Sequence, residues 1–154
     1  AGALSLLPQI PNEPVIVMNG DILTKVAFGA LLDFHTEHAS VGTMCVRDYV
    51  LQVPYGVVET DDHRLSEILE KPVHRFLVNA GLYVLERAAI ELVPHNHSYD
   101  MPMLFEELAR RKLAATVFPI REYWLDIGRI DDFNKANDDY IREFRGLDVA
   151  KTLR

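Results

Sequence analysis

The chain reads as an α/β layered domain with a mostly parallel sheet and an inserted hairpin. Three observations predict that architecture. Short continuous apolar runs such as Val15-Ile16-Val17-Met18 alternate with stretches whose apolar residues recur every three or four positions. The first pattern marks strands covered on both faces and the second marks helices with one apolar stripe. No repeat or low-complexity linker interrupts the alternation over 154 residues, a length that suits one domain with a real hydrophobic core. Between Gly56 and Leu69, finally, two strand-like runs flank a polar tip at Thr60 to Arg64, which is hairpin patterning.

Taken in order, Ala3 to Leu7 is apolar and helix-permissive, and Pro8, Pro11 and Pro14 then prevent a helix from continuing. Val15 to Met18 is a strand that ends in the turn Asn19-Gly20-Asp21. Phe28, Leu31, Leu32 and His35 repeat at helical spacing, with Thr24 as the N-cap. Gly42 to Val46 is the next strand, and the hairpin follows it. Phe76 to Leu85 is a strand interrupted at Asn79-Ala80-Gly81, where a glycine permits close backbone approach. Asp100 caps a helix that carries Pro102 in its first turn and Met101, Leu104, Phe105 and Leu108 on one face. Ala115 to Ile120 and Trp124 to Asp126 are strands, and Asp131 to Phe144 closes the series as a helix.

Composition narrows the function classes. Hydrophobic residues make up 49% and charged residues 25%, with a net charge of −7. That balance argues against a nucleic-acid or anionic-membrane surface, although a pocket with local positive charge still suits an anionic small molecule. No apolar run has the length of a membrane span and no signal-peptide pattern opens the chain. The lone Cys45 sits in Thr43-Met44-Cys45-Val46, reads as a small core residue and fits a reducing cytoplasm. His35/His38 and His95/His97 lack further ligands at zinc spacing, so solvated or capping roles are expected of them. The chain opens on Ala1-Gly2-Ala3-Leu4 without a methionine and is expected to be a piece of a longer protein.

Two carboxylates stand at the ends of strand-like runs, Asp21 after Val15 to Met18 and Asp126 in Tyr123-Trp124-Leu125-Asp126-Ile127-Gly128. An acidic residue where a strand leaves the sheet points to the crevice in which α/β proteins bind ligands. Asp21 also fits plain turn chemistry. Asp126, among apolar neighbours, would be costly without a cation, several donors or a buried arginine partner. Glu70-Lys71-Pro72 suits either a solvated strand end or a phosphate-binding ammonium beside a carboxylate that accepts sugar hydroxyls. No Walker loop or nucleophile elbow is present.

In this order, the segments resemble the sugar-1-phosphate nucleotidyltransferases, or nucleoside-diphosphate-sugar pyrophosphorylases. Val15 to Asp21 resembles the family strand ending in the first metal aspartate. Pro54-Tyr55-Gly56-Val57-Val58 and Glu70-Lys71-Pro72 resemble its sugar and phosphate contacts, and Val78-Asn79-Ala80-Gly81-Leu82-Tyr83 its sugar-lining strand. Tyr123 to Gly128 resembles the closing motif with the second metal aspartate, and Ala1-Gly2-Ala3-Leu4 the end of the nucleotide-base segment. Runs such as Met18 to Leu23 are most similar to bacterial mannose-1-phosphate guanylyltransferase-like members.

The resemblance implies a Rossmann-like three-layer nucleotide-diphospho-sugar transferase fold whose first strands are missing. It makes residues 1–154 the C-terminal two-thirds of one catalytic domain. It implies Mg²⁺ held by Asp21 and Asp126, with Lys71 as a further catalytic residue. Gly56, Glu70, Lys71, Asn79 and Gly81 would bind the sugar phosphate, and Gly2 the nucleotide. Its partners would be a nucleoside triphosphate and a sugar-1-phosphate, with neither nucleic acid nor membrane. The family's opening strand and Gly-rich triphosphate loop have no counterpart, so these 154 residues alone are expected to be inactive. An exposed sheet edge would favour a homo-oligomer. Two rivals remain at this point: a non-catalytic regulatory or binding subunit of the same fold, which would tend to lose an aspartate or the lysine, and a nucleotide-sugar-dependent glycosyltransferase, which would favour Asp-x-Asp.

Overall fold

The computed structural model describes residues 1–144. A four-stranded sheet in the order β1-β6-β3-β7 forms its centre, from Val15–Met18 (β1), Val73–Leu85 (β6), Gly42–Gln52 (β3) and Ala115–Pro119 (β7). Side chains of β6 alternate between two cores. Tyr83 and Leu85 join Ile90, Met101, Leu104 and Leu108 from the helices Arg87–Ile90 (α2) and Met101–Arg110 (α3) on one face. Ala80, Leu82 and Val84 join Leu31 of Phe28–Glu37 (α1), Cys45 and Ile120 on the other. The period of two in a strand thus produces the three layers, and each such fully buried aliphatic side chain contributes roughly 1.5–3 kcal/mol.

Local chemistry sets the helix boundaries. The Asp100 carboxylate accepts the Met103 N–H at 2.9 Å, and Pro102 stands in the first turn, as expected. Leu104 and Leu108, four apart, turn one face of α3 into the core. Cys45 is fully buried, and burial together with Glu122 pushes its thiol up to about 12, which makes it inert packing. The hairpin forms as patterned, from Val57–Asp61 (β4) and Arg64–Leu69 (β5). Among the described residues no helix is long and apolar enough to cross a membrane.

Four expectations are corrected. The sheet is mixed, but β1–β6 and β3–β6 pair antiparallel and only β3–β7 pairs parallel. A continuous apolar run reports coverage, not direction, and the β4–β5 hairpin returns the chain alongside β3 without a crossover. β1 itself is half covered. Val15 and Val17 face the α3 core, while Ile16 and Met18 are exposed because α1 packs over β6 and β7. Thr24 is not a cap: Ala27 is the N-cap of α1, and Thr24 ends the short strand Ile22–Thr24 (β2). His35 is neither solvated nor a cap. It is buried, with Nδ1 2.7 Å from Thr43 Oγ1 and Nε2 3.2 Å from Glu86 Oε1, a satisfied core histidine.

Candidate active site

Asp21 and Asp126 are brought together by a two-stranded ribbon. β2 pairs antiparallel with Trp124–Asp126 (β8), and Ile22 lies opposite Asp126. The Ile127 N–H donates to the Asp21 carbonyl at 2.8 Å, which sets Asp21 diagonally beside Asp126. Diagonal neighbours in a regular ladder point to opposite faces. Asp21 precedes β2, in the turn, where the pleat does not dictate its direction. Both aspartates are exposed, and neither has an ion-pair partner among the described residues. The burial expected of Asp126 from its apolar neighbours is therefore corrected: in a ribbon outside the main sheet, the carboxylate reaches water at the strand end. The buried arginine partner is excluded with it.

The interruption expected at Asn79-Ala80-Gly81 is a bulge. Met44 faces Tyr83 and Val46 faces Asn79, so four steps along β6 match two along β3. Gly81 adopts φ +69°, a left-handed conformation costly for any residue with a Cβ. A Cβ there would stand 2.7 Å from Ile22 Cδ1 and 2.8 Å from Asn19 Nδ2, so the space is taken as well. Asn79 holds the bulge from within. Its Oδ1 accepts the Gly81 N–H at 2.9 Å and its Nδ2 donates to the Tyr83 hydroxyl at 2.8 Å. The Ala80 carbonyl, in the bulged stretch without a β3 partner, is captured by the Trp124 indole N–H, and the Asn19 N–H continues the β1–β6 ladder onto the Gly81 carbonyl, each at 2.9 Å.

Further ties fix the ribbon from its other side. Thr24 Oγ1 and the Lys25 N–H both donate to the Tyr123 carbonyl, each at 2.9 Å. Arg47 donates to the carbonyls of Ile120 and Glu122, at 3.2 and 2.6 Å. The helix Ile130–Asp139 (α4) docks through Asp139, which is buried and accepts the Tyr123 hydroxyl at 2.7 Å and an Arg142 N–H. The Tyr123 hydroxyl, first, and Arg142 hold the Asp139 carboxyl below the usual carboxylate range. Burial, then Asp139, pushes the Tyr123 phenol up to about 12. Reading the sequence alone missed Trp124, Asn19 and Asp139 in these roles. The one available signal was Trp124 itself, since a largely buried indole N–H must find an acceptor.

The other proposed residues form a separate group. Gly56 and Glu70 meet at the hairpin base, where a Cβ on Gly56 would stand 3.0 Å from Glu70 Oε2. The Val53 N–H closes that base on the Pro72 carbonyl at 3.0 Å. Lys71 adopts φ +46° between two strands, a conformation that costs a non-glycine residue roughly 1–2 kcal/mol. Lys71 lies eight positions before Asn79, up to about 26 Å along an extended strand. Gly2 lies elsewhere again: its N–H donates to the Tyr99 carbonyl at 2.6 Å, beside the start of α3. A cavity of about 520 Å³ lined by His35, Ser40, Glu86 and Arg87 contains none of these residues.

A family model described as nucleotidyl transferase matches residues 2–143. The chain belongs to that family. It is 30% identical over its whole length to a mannose-1-phosphate guanyltransferase of Kluyveromyces lactis and covers 45% of that protein. HddC from Yersinia pseudotuberculosis shares the fold, with a TM-score of 0.61 at 24% identity over 90% of this chain and 61% of that one. A second HddC structure, complexed with GMP-PN, matches with a TM-score of 0.54 at 25% identity, over 82% of this chain and 55% of that one. The fold is thus the layered one of the nucleotidyltransferases, as expected, and the chain spans less than half the length of the curated relative.

Proposed function

We propose that the protein containing this chain transfers a nucleotidyl group from a nucleoside triphosphate to a sugar-1-phosphate. The observation that carries this reading is the pair of exposed aspartates, without an ion-pair partner among the described residues, that the β2–β8 ribbon brings to one end in a nucleotidyl transferase family member. The relative's name makes GTP and mannose-1-phosphate the first pair to test, and the GMP-PN complex of HddC is in keeping with a guanine nucleotide. On this reading residues 1–154 supply the C-terminal two-thirds of the catalytic domain.

Asp21 and Asp126 fit Mg²⁺. Their donors are hard carboxylate oxygens, and among the described residues no third His, Cys, Asp or Glu joins them. Mg²⁺ is ordinarily held by one or two carboxylates, with water and phosphate oxygens completing the shell. When bound it neutralises and orients the phosphates. A sugar-phosphate oxygen then attacks the α-phosphorus in line, the bond to the β-phosphate oxygen breaks, and pyrophosphate leaves with the electron pair. No general base is needed, because the attacking oxygen is already anionic. The chain's own work is positioning and charge compensation. The Lys71 ammonium secures the sugar phosphate and the Glu70 carboxylate accepts sugar hydroxyls, while Gly56, Asn79 and Gly81 line the sugar and Gly2 the base.

Pyrophosphate release measured over a panel of sugar-1-phosphates and nucleotides with Mg²⁺ tests the reading. Turnover is expected with one preferred pair, and Asp126→Asn should lower it at least about a hundredfold while leaving the melting temperature unchanged. Ligand-induced thermal shifts without any turnover would instead support a regulatory subunit. The 154-residue chain alone is expected to release no pyrophosphate.

A further inference from the structure

The donors to the Ala80 and Gly81 carbonyls have matching places in the sequence. Asn19, which binds Gly81, stands two residues before Asp21, and Trp124, which binds Ala80, stands two residues before Asp126. Each aspartate is thus tethered, at the same short distance along the chain, to adjacent peptide units of one irregularity in β6. The Gly81 carbonyl stays in the β1–β6 ladder, whereas the break in β3 pairing leaves the Ala80 carbonyl available as an anchor. One tether is backbone and present with any residue but proline at position 19. The other is a side chain, 44 residues from its acceptor, and only a residue with an N–H at the reach of Trp124 supplies it.

We infer that Trp124 is a positioning residue for the cation site: its indole N–H, clamped on the Ala80 carbonyl, sets where Asp126 stands relative to Asp21. The inference rests on the assignment of those aspartates to a divalent cation. Two carboxylates share one ion only if their oxygens are held within a fraction of an ångström of its coordination shell, and Mg²⁺ tolerates little distortion. Groups that orient ligands from behind typically cost 10–100-fold in metal affinity when removed. The side chain of Tyr123, the adjacent residue, is tied instead to Asp139 of α4, and none of the residue's three recorded bonds touches the bulge. It supplies the comparison.

Mn²⁺ is the probe, followed by loss of its free-ion EPR signal on titration into the whole protein, with melting temperatures recorded alongside. Trp124→Phe, which keeps an aromatic ring but loses the donor, is expected to weaken Mn²⁺ binding about tenfold. Tyr123→Phe is expected to leave the affinity unchanged although it breaks a bond to α4, and Asp126→Asn to abolish tight binding. Wild-type affinity in Trp124→Phe, with Asp126→Asn weakened, would overturn the tether and leave the cation site standing. Equal weakening in Trp124→Phe and Tyr123→Phe would overturn it too, by showing general loosening of the ribbon. Wild-type affinity in Asp126→Asn would remove the cation site itself, and the inference with it.

Discussion

The two groups of site residues are held very differently. The aspartates stand on a short ribbon bonded to the β6 bulge, to Arg47 and to α4, with buried Gly81 at the junction. Glu70 and Lys71 stand at the base of a hairpin that leaves Val58, Leu65 and Ile68 exposed, and among the described residues β4 and β5 pair only with each other. On the proposed function, the difference matches what each group would bind. A small cation rewards ligands fixed in advance, whereas a sugar phosphate is a larger target whose binding energy can order a loosely supported hairpin. The aspartate half is preorganised and the hairpin half adaptable.

Gly81→Ala is the strongest way to break that contrast. The substitution places a Cβ at φ +69° and within 2.7 Å of Ile22 Cδ1, so conformational strain and overpacking act together. A loss of about 2–4 kcal/mol is expected in urea unfolding, since those two costs reinforce each other. A loss below about 1 kcal/mol would mean that the aspartate half yields as readily as the hairpin.

Lys71 tests the other half, with a smaller effect. Lys71→Gly removes the ammonium and relieves the left-handed backbone, so stability should stay level or rise by up to about 1 kcal/mol. Affinity for the sugar phosphate should fall about tenfold, the worth of one charge-assisted hydrogen bond, as read by isothermal titration. A marked fall in stability would show the hairpin base to be as rigidly built as the ribbon.

What the sequence disclosed follows the same division between near and far. β1, the hairpin, the Asp100 cap and the helix beginning near Asp131 are written in local spacing, and they stand where that spacing puts them. Asn79-Ala80-Gly81 is legible as an interruption for the same reason. Strand direction is not, because it depends on which distant strand lies alongside. Thr24 looked like a cap for Phe28, yet its hydroxyl bonds Tyr123, 99 residues away. Asp126 looked buried because Trp124, Leu125 and Ile127 surround it in sequence, whereas pairing with the short β2 leaves the strand end in water. The candidate residues were readable as types, but their grouping was set by contacts that no local pattern contains.

The smallest effect separates the ribbon's two supports by pH. The Asp139 carboxyl lies below its ordinary value in the folded protein, through the Tyr123 hydroxyl and then Arg142. A depressed carboxyl stabilises the fold fully above its unfolded value, near 4, and that contribution is lost as pH falls through 4 towards the folded value. Asp139→Asn should therefore melt below wild type by a constant margin from pH 7 to about 5, and the margin should close under about pH 4. The raised Tyr123 phenol has the opposite sign: its neutral form is favoured in the folded chain, so stability falls as pH rises through about 10 towards about 12. Thermal unfolding across that range checks both. A margin that closes already at pH 6 would show that another group governs how α4 docks. If Asp139→Asn keeps wild-type Mn²⁺ affinity, α4 braces the ribbon while the bulge alone places the aspartates.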